Sequence, residues 1–282
     1  MSLLTARRFI SNSPFLRRSL SVSAVSKMRI VPVPVRSDNY AYLLIDEATK
    51  IAAAVDPYDV KKVIAAAEKE GVKLGEHLIT THHHHDHAGG NEEFKKQFPG
   101  VTVYGGSSQV AGLTKKVNDG DSFKVGENIK VTGYHTPCHT QDSTCFFVED
   151  SGKDQRGVFT GDTLFVGGCG RFFEGTAEEM DKALNGVLAS LPADTKVYDG
   201  HNYSQGNVAF ALHIDPNNEA IKALKADIDS TGETTGKYTI ADERKHNVFM
   251  RLTSEAVVEK TGAKNAVEAM DKLREMKNNF RG

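Results

Sequence analysis

Apolar and polar positions change period several times along the chain, and each change predicts an element. Apolar residues alternate from Met28 through MRIVPVPVR, and the runs at 40–46 and 51–55 predict two paired strands. Val60, Val63, Ile64 and Ala67 recur at helical spacing, with Gly71 placed to end that helix. A short apolar strand follows over 77–81. Asn91 is then predicted to cap a helix carrying Glu92 and Glu93 in its first turn, and Pro99-Gly100 to stop it. Further strands are predicted over 101–104, 122–125, 129–134, 144–148, 158–160 and 196–199. Thr176 and Glu179 form a capping box ahead of a helix running to Leu191. Beyond 200–210 the strand patterns disappear. Segments 217–228, 239–253, 254–261 and 263–279 read as helical or turn-like, and Val267, Met270, Leu273 and Met276 give the last one an apolar stripe. The expectation is an α/β domain over 28–205 followed by a small helical domain over 206–282.

Composition narrows the function classes. The 282 residues are 39% hydrophobic and 26% charged, an ordinary globular balance. Lys+Arg is 35 and Asp+Glu is 37, which argues against a generic nucleic-acid binder. No apolar run approaches the ~20 residues a bilayer span needs, so no membrane partner is expected. The three cysteines (Cys138, Cys145, Cys169) cannot all pair, against a secreted disulfide scaffold. The near-neutral total is uneven. Asp38 is the first acidic residue, and before it come Arg7, Arg8, Arg17, Arg18, Lys27, Arg29 and Arg36, with seven serines within 2–26. This Arg- and Ser-rich, acid-free start resembles a mitochondrial transit peptide over 1–27 and implies a matrix location. A shorter cytoplasmic form starting near Met28 is a second expectation. Without 1–27 the basic count falls from 35 to 30 against 37 acidic residues, a net −7.

Histidine is the outlier, with five of 11 lying between His82 and His87. The segment Thr80-Thr81-His82-His83-His84-His85-Asp86-His87-Ala88-Gly89-Gly90 contains H-x-H-x-D-H directly after a predicted strand. Residues two apart in an extended segment point the same way, so His82 and His84 can share one metal ion. Asp86 and His87, one turn on, can face a second. One segment cannot complete two coordination shells. His139 in Thr136-Pro137-Cys138-His139-Thr140, Asp162 in Thr160-Gly161-Asp162-Thr163 and His201 in Asp199-Gly200-His201 each follow a predicted strand and are candidates for the remaining positions. His83, His85 and His135 are left as non-ligands. Cys138 is expected to pack inward rather than act as a nucleophile, because adjacent extended side chains diverge.

These motifs resemble the metallo-β-lactamase superfamily, and within it the hydroxyacylglutathione hydrolase (glyoxalase II) family. THHHHDHAGGN, TPCHT, FTGDTLFVGGCGRFFEGT and GHNY carry the resemblance, which runs from about Met28 to the C-terminus. It implies an αββα sandwich with a C-terminal helical domain covering the substrate. It also implies a binuclear site: His82, His84 and His139 on the first metal, Asp86, His87 and His201 on the second, and Asp162 bridging both. Zinc is the expected ion, with iron and manganese also suited to these donors. Arg171, Phe173, Tyr203, Arg274 and Lys277 are implied to hold glutathione, beside His201. The chain departs from the family's usual residues at His85, Ser143, Arg171, Phe173 and Asn202, none of them an implied ligand.

The implied reaction is hydrolysis of S-(2-hydroxyacyl)glutathione, such as S-D-lactoylglutathione, to glutathione and D-lactate, the second step of methylglyoxal detoxification. A hydroxide between the two metal ions attacks the thioester carbonyl, with Asp86 and Asp162 holding the ions and Asp86 also orienting the hydroxide. The implied partner is a glutathione thioester substrate, and the chain is expected to be a monomer. Two alternatives stand beside this reading: a single-iron persulfide dioxygenase of the same superfamily, and a non-catalytic metal-binding relative.

Overall fold

The computed structural model describes residues 28–152 and 155–281, so the leader expectation over 1–27 lies outside the described residues. Strand β1 (Met28–Pro34) pairs antiparallel with β2 (Tyr40–Asp46), and β2 with β3 (Ile51–Val55). Helix α1 (Val60–Glu70) starts at Asp59, whose carboxylate accepts from the Lys62 N–H, and ends on Gly71 with φ of 65°. It crosses to β4 (Lys73–Ile79), parallel to β3. The single turn α2 (His85–Ala88) and helix α3 (Asn91–Gln97) lead to β5 (Thr102–Gly105) and the two-residue β6 (Lys115–Lys116). These strands form a six-stranded sheet in the order β1-β2-β3-β4-β5-β6.

The second sheet follows. Strands β7 (Ser122–Val125), β8 (Ile129–His135), β9 (Thr144–Asp150) and β10 (Arg156–Gly161) run antiparallel in turn. A short ribbon, β11 (Leu164–Phe165) with β12 (Gly168–Cys169), projects from the end of β10. Helix α4 (Ala177–Asp181) opens with the expected Thr176–Glu179 capping box and continues through wider and tighter turns to Ser190. Strand β13 (Lys196–Asp199) then pairs parallel to β10, giving the order β13-β10-β9-β8-β7. Five helices complete the chain: α5 (Ser204–Ile214), α6 (Glu219–Thr231), α7 (Ile240–His246), α8 (Glu255–Thr261) and α9 (Ala266–Asn279).

The period-two alternation of the strands sets the layers. On β2, Leu43 and Ile45 pack outward with Val63 of α1 and Phe94 of α3. Tyr42 and Leu44 pack inward against Ile129, Phe146 and Phe159 of the facing sheet. On β9, Cys145 and Phe147 point away from that middle layer, into a core shared with Met180, Leu184, Phe210, Leu224, Met270 and Leu273. The result is the αββα sandwich, and the helices after residue 204 share one continuous apolar core with its outer face.

Two local expectations are corrected, and one helix was not expected. The strand expected over 77–81 runs over Lys73–Ile79, because the Thr81 N–H leaves the sheet to bond the Asp56 carboxylate. Asn91 is not a cap: it is the first helical residue, and its buried amide donates to Thr80 Oγ1 and the Ala111 carbonyl. Helix α5 escaped the periodic reading because Val208, Phe210, Ala211 and Ile214 bury most of its girth and leave no amphipathic stripe.

Candidate active site

Loops following β4, β8, β10 and β13 converge at one edge of the sandwich, and all seven expected ligands lie there. His82 and His84 leave the end of β4 with their rings 4.8 Å apart and edge to face. His82 Nε2 is 3.2 Å from His84 Nδ1, and His139 Nε2 is 3.0 Å from the same nitrogen. His87 Nε2 and His201 Nε2 approach to 3.3 Å, and Asp86 Oδ2 lies 3.5 Å from His201 Nε2. Asp162 stands between the two groups: Oδ1 is 3.2 Å from His87 Nε2 and 3.5 Å from His201 Nε2, while Oδ2 is 3.4 Å from His139 Nε2. His82, His84 and His139 could hold one cation, and Asp86, His87 and His201 another.

Each inward nitrogen is selected by what the other ring nitrogen touches. His87 Nδ1 is 2.9 Å from Asp56 Oδ2 and His201 Nδ1 is 2.8 Å from Asp38 Oδ1. His139 Nδ1 faces the Arg171 carbonyl at 3.0 Å, and His82 Nδ1 faces Thr81 Oγ1 at 3.1 Å. Four rings therefore present Nε2, and His84 presents Nδ1.

The electrostatics fit cations. Burial alone would raise the Asp162 carboxyl, but the fields of His87, His201 and His82 outweigh it and hold the group far below the usual carboxylate range. Burial pushes His82, His84 and His139 down. His87 moves the other way: burial would lower it, but Asp162 and Asp56 together raise it well above the ordinary imidazole value. The buried Asp162 Oδ1 has no hydrogen-bond donor. An orphaned carboxylate oxygen amid convergent imidazole nitrogens fits hard or borderline divalent ions.

Close backbone approach makes two glycines necessary. A Cβ on Gly200 would stand 2.5 Å from Asp162 Oδ1 and 2.7 Å from His87 Cε1. One on Gly170 would stand 1.9 Å from the Asp162 carbonyl oxygen.

Asp56 is the functional residue the sequence reading missed. It sits at φ of 48°, a left-handed conformation uncommon for a side chain other than glycine. Its carboxylate takes the Thr81 N–H, the Thr81 hydroxyl and His87 Nδ1. The signal that could have found it is another strand–Asp unit, at the end of Ile51–Val55. Asp56→Ala is expected to weaken metal affinity by roughly 10–100-fold, the usual cost of removing a partner that orients a ligand. Titration of the apo-protein with metal checks this. Asp38 was missed as well, and it carries no pattern of its own.

A cavity of about 660 Å³ opens from His139 and Asp162 toward α9. Arg171, Phe173, Tyr203, Arg274 and Lys277, the five residues implied to hold glutathione, all line it. Phe173 is 60% exposed and sets its ring against His84 and His139 at 5.8 and 5.2 Å. Tyr203 stacks on His201 at 4.7 Å. Arg274 is buried and spends one N–H on the Cys169 carbonyl, so it braces β12 as well as facing the cavity. Lys277 Nζ donates to the Gly206 carbonyl and lies over the rings of Phe210 and Phe280. The expected non-ligands lie elsewhere: His135 bonds the Val117 carbonyl, His85 packs on Tyr58, and His83 meets Asp142. Cys138 is buried with its thiol pushed up to about 12, chiefly by burial, and it points at the Thr176 carbonyl.

Comparison with known proteins gives the family. The model of the metallo-beta-lactamase superfamily matches residues 46–227, and that of the hydroxyacylglutathione hydrolase C-terminus matches residues 202–280. The chain is 45% identical over 259 residues to the cytoplasmic hydroxyacylglutathione hydrolase of Arabidopsis thaliana, covering 90% of this chain and 100% of that one. It is 48% identical over 245 residues to a Schizosaccharomyces pombe protein named "Probable hydroxyacylglutathione hydrolase glo2", covering 86% and 93%. Among solved structures, ETHE1 from Myxococcus xanthus superposes with a TM-score of 0.63 at 26% identity, covering 89% and 90%. By its sequence, its fold and its histidine–aspartate site, the chain belongs to the hydroxyacylglutathione hydrolase family of the metallo-β-lactamase superfamily.

Proposed function

We propose that this enzyme hydrolyses S-(2-hydroxyacyl)glutathione, with S-D-lactoylglutathione as substrate, to glutathione and the 2-hydroxy acid. The observation that carries it is one cavity lined at one end by His139 and Asp162, two of the seven convergent histidines and aspartates, and by Arg274 and Lys277 at the other. Two divalent ions bound there would supply Lewis acidity, lowering the pKa of water and polarising the thioester carbonyl. The chain's own residues do the rest. His82, His84 and His139 would hold one ion, Asp86, His87 and His201 the other, with Asp162 between them. Asp86 Oδ2 lies 3.5 Å from His201 Nε2, and its carboxylate would orient an attacking water. Glutathione carries two carboxylates, and Arg171, Arg274 and Lys277 offer the cations to take them. Phe173 and Tyr203 flank the reacting end, against His139 and His201. The leaving thiolate needs little protonation, and no protein nucleophile is required. The buried, high-pKa Cys138 is consistent with that.

Zinc is the ion we propose, since the donors are imidazole and carboxylate, with iron and manganese as the alternatives. The acid-free 1–27 segment supports import into the mitochondrial matrix, and we propose a cytoplasmic form beginning near Met28. The protein is proposed to act as a monomer.

Elemental analysis together with an S-D-lactoylglutathione hydrolysis assay tests the function. Two ions per chain with thioester hydrolysis is the expected result. One iron per chain with oxygen consumption on glutathione persulfide, or no hydrolysis at full metal loading, would overturn it. The complete second ligand group supports two ions over one.

The cavity also predicts a pH effect. Burial, reinforced by the neighbouring Arg274 charge, pushes Lys277 down to about 8. The amine is charged below that pH and neutral above it. kcat/KM, which reports the free enzyme, should therefore fall as pH rises through about 8. Lys277→Arg should flatten that limb of the profile, and Lys277→Ala should raise KM by about tenfold at pH 7, as loss of a charge-assisted contact does.

A further inference from the structure

The β11–β12 ribbon joins the two halves of the site. It leaves β10 through Asp162, turns at Val166 and Gly167, and returns through Gly170 to Arg171. Phe165, Cys169 and Gly170 along it line the cavity. Asp162 at one end faces both histidine groups, and the Arg171 carbonyl at the other faces His139 Nδ1. The two strands form a sheet of their own, so the polar backbone groups at the buried tip must find partners other than a further strand.

Side chains of the helical region supply those partners. Glu243 of α7 takes the Gly167 N–H at 3.0 Å. Asn207 of α5 donates to the Val166 carbonyl at 3.2 Å, Asn247 to the Gly168 carbonyl at 3.0 Å, and Arg274 of α9 to the Cys169 carbonyl at 3.0 Å. Glu243 is the centre of this set. Its side chain is fully buried, and the oxygen that takes Gly167 also takes the Asn247 amide at 2.9 Å. Both donors are amide N–H groups, so neither bond depends on a titration. Asn247 Oδ1 in turn accepts the Phe249 N–H at 3.0 Å, and the Arg274 guanidinium lies over the Phe249 ring at 5.6 Å. One carboxylate touches the ribbon directly and the seat of a cavity cation through two residues. A buried carboxylate is costly unless its oxygens are bonded, and an apolar side chain would fill the same space more cheaply.

We propose that Glu243 is a positioning residue for the reaction: by holding the ribbon tip against α7, it sets where Asp162 and Arg171 stand relative to each other and to Arg274. A two-stranded hairpin is marginally stable without support, and a tilt at its tip moves both of its ends. One end would hold the ions and the other the glutathione moiety. The helical region then shapes the metal site as well as the cavity. A misplacement of about 1 Å between reacting groups can cost on the order of 10²-fold in rate. The inference rests on the thioesterase reading given above.

The test compares Glu243→Met, which fills the volume without an acceptor, with Glu243→Gln, which keeps an oxygen for the Gly167 N–H. Each metal-loaded variant is read by kcat, KM and the Kd of S-hexylglutathione measured by calorimetry. The visible absorption of the cobalt-substituted protein reports ligand geometry independently of turnover. Glu243→Met should lower kcat/KM by on the order of 10–100-fold, raise the Kd and shift the cobalt bands. Glu243→Gln should stay within about threefold of wild type, with the bands unshifted. Val63→Ala, in the core between α1 and β2, is the control for stability alone. It should lower Tm and leave kcat, Kd and the bands unchanged. If Glu243→Met does not fold, Asn247→Ala takes its place with the same expectation. Normal kinetics and bands in folded Glu243→Met, Glu243→Gln as impaired as Glu243→Met, or failure of both Glu243→Met and Asn247→Ala to fold would each overturn the proposal. Wild-type hydrolysis of S-D-lactoylglutathione is measured in the same series. Its absence would count against the thioesterase reading, and the cobalt bands would still decide the role of Glu243.

Discussion

Asp162→Ala is expected to lower thioester hydrolysis by on the order of 10³-fold or more, because losing even an outer partner of a ligand costs roughly 10–100-fold. Its carboxylate spans the two histidine groups: one oxygen faces His87 and His201, and the other faces His139. Its removal takes away the anionic charge that lies between the two candidate cation positions. Metal content should fall with activity. Asp162→Asn separates charge from shape. The amide fills the same volume, so hydrolysis that stays near the alanine level would show that the charge is what matters. Steady-state kinetics with elemental analysis on the same preparations checks both variants. Normal activity with two ions retained would show that the carboxylate does not bridge.

Removing the metal is the second large effect. Dialysis against a chelator is expected to abolish hydrolysis, and adding back zinc, iron or manganese separately should restore it to different extents. The three cysteines offer no ready alternative nucleophile, since Cys138, Cys145 and Cys169 are buried with thiols pushed up by burial. The folded state should suffer as well. Ions that bind only the folded chain stabilise it by about 2.7 kcal/mol for each site filled at 100 times its dissociation constant. Thermal unfolding of the chelated and reloaded protein measures this as a drop and recovery in Tm. Retention of full activity after metal removal would refute the metal-dependent reading.

Much of the site was legible in the chain because its ligand residues carry two signals at once. His82, His84, Asp86 and His87 form an unusual cluster, and they follow an apolar strand. His139, Asp162 and His201 each lie just past a strand, a position that holds side chains rigidly. Asp56 shares that position but is one carboxylate after one strand, a common sight. Its role depends on β3 pairing in register with β4, which sets it beside Thr81 and His87. Asp38 is more remote still. It meets His201 across 163 residues through a bridge between Asn39 and His201, and local sequence does not record such a pairing. The same difference separates the helices. Those with a one-sided apolar stripe were readable, and α5 was not, because it is buried on most of its circumference.

The opening pattern of apolar and polar positions therefore determined the longer strands and most of the helices, and residue type the chemical nature of the donors, since these depend on neighbours a few positions away, whereas the two-residue strands β6, β11 and β12 were not read from it. Tertiary structure decided the rest. It chose which nitrogen each imidazole turns inward, because the partner of the other nitrogen comes from a different part of the chain: Asp56 for His87, Asp38 for His201, the Arg171 carbonyl for His139. It buried Arg274 against β12 and turned Lys277 into the cavity, where helical spacing alone would equally have left both on a solvated face. It also set His83 Nδ1 against the buried Asp142 carboxylate, a contact that spacing does not record. Periodicity is a local property, and a site assembled from loops after four separate strands depends on contacts that only the packed sandwich makes.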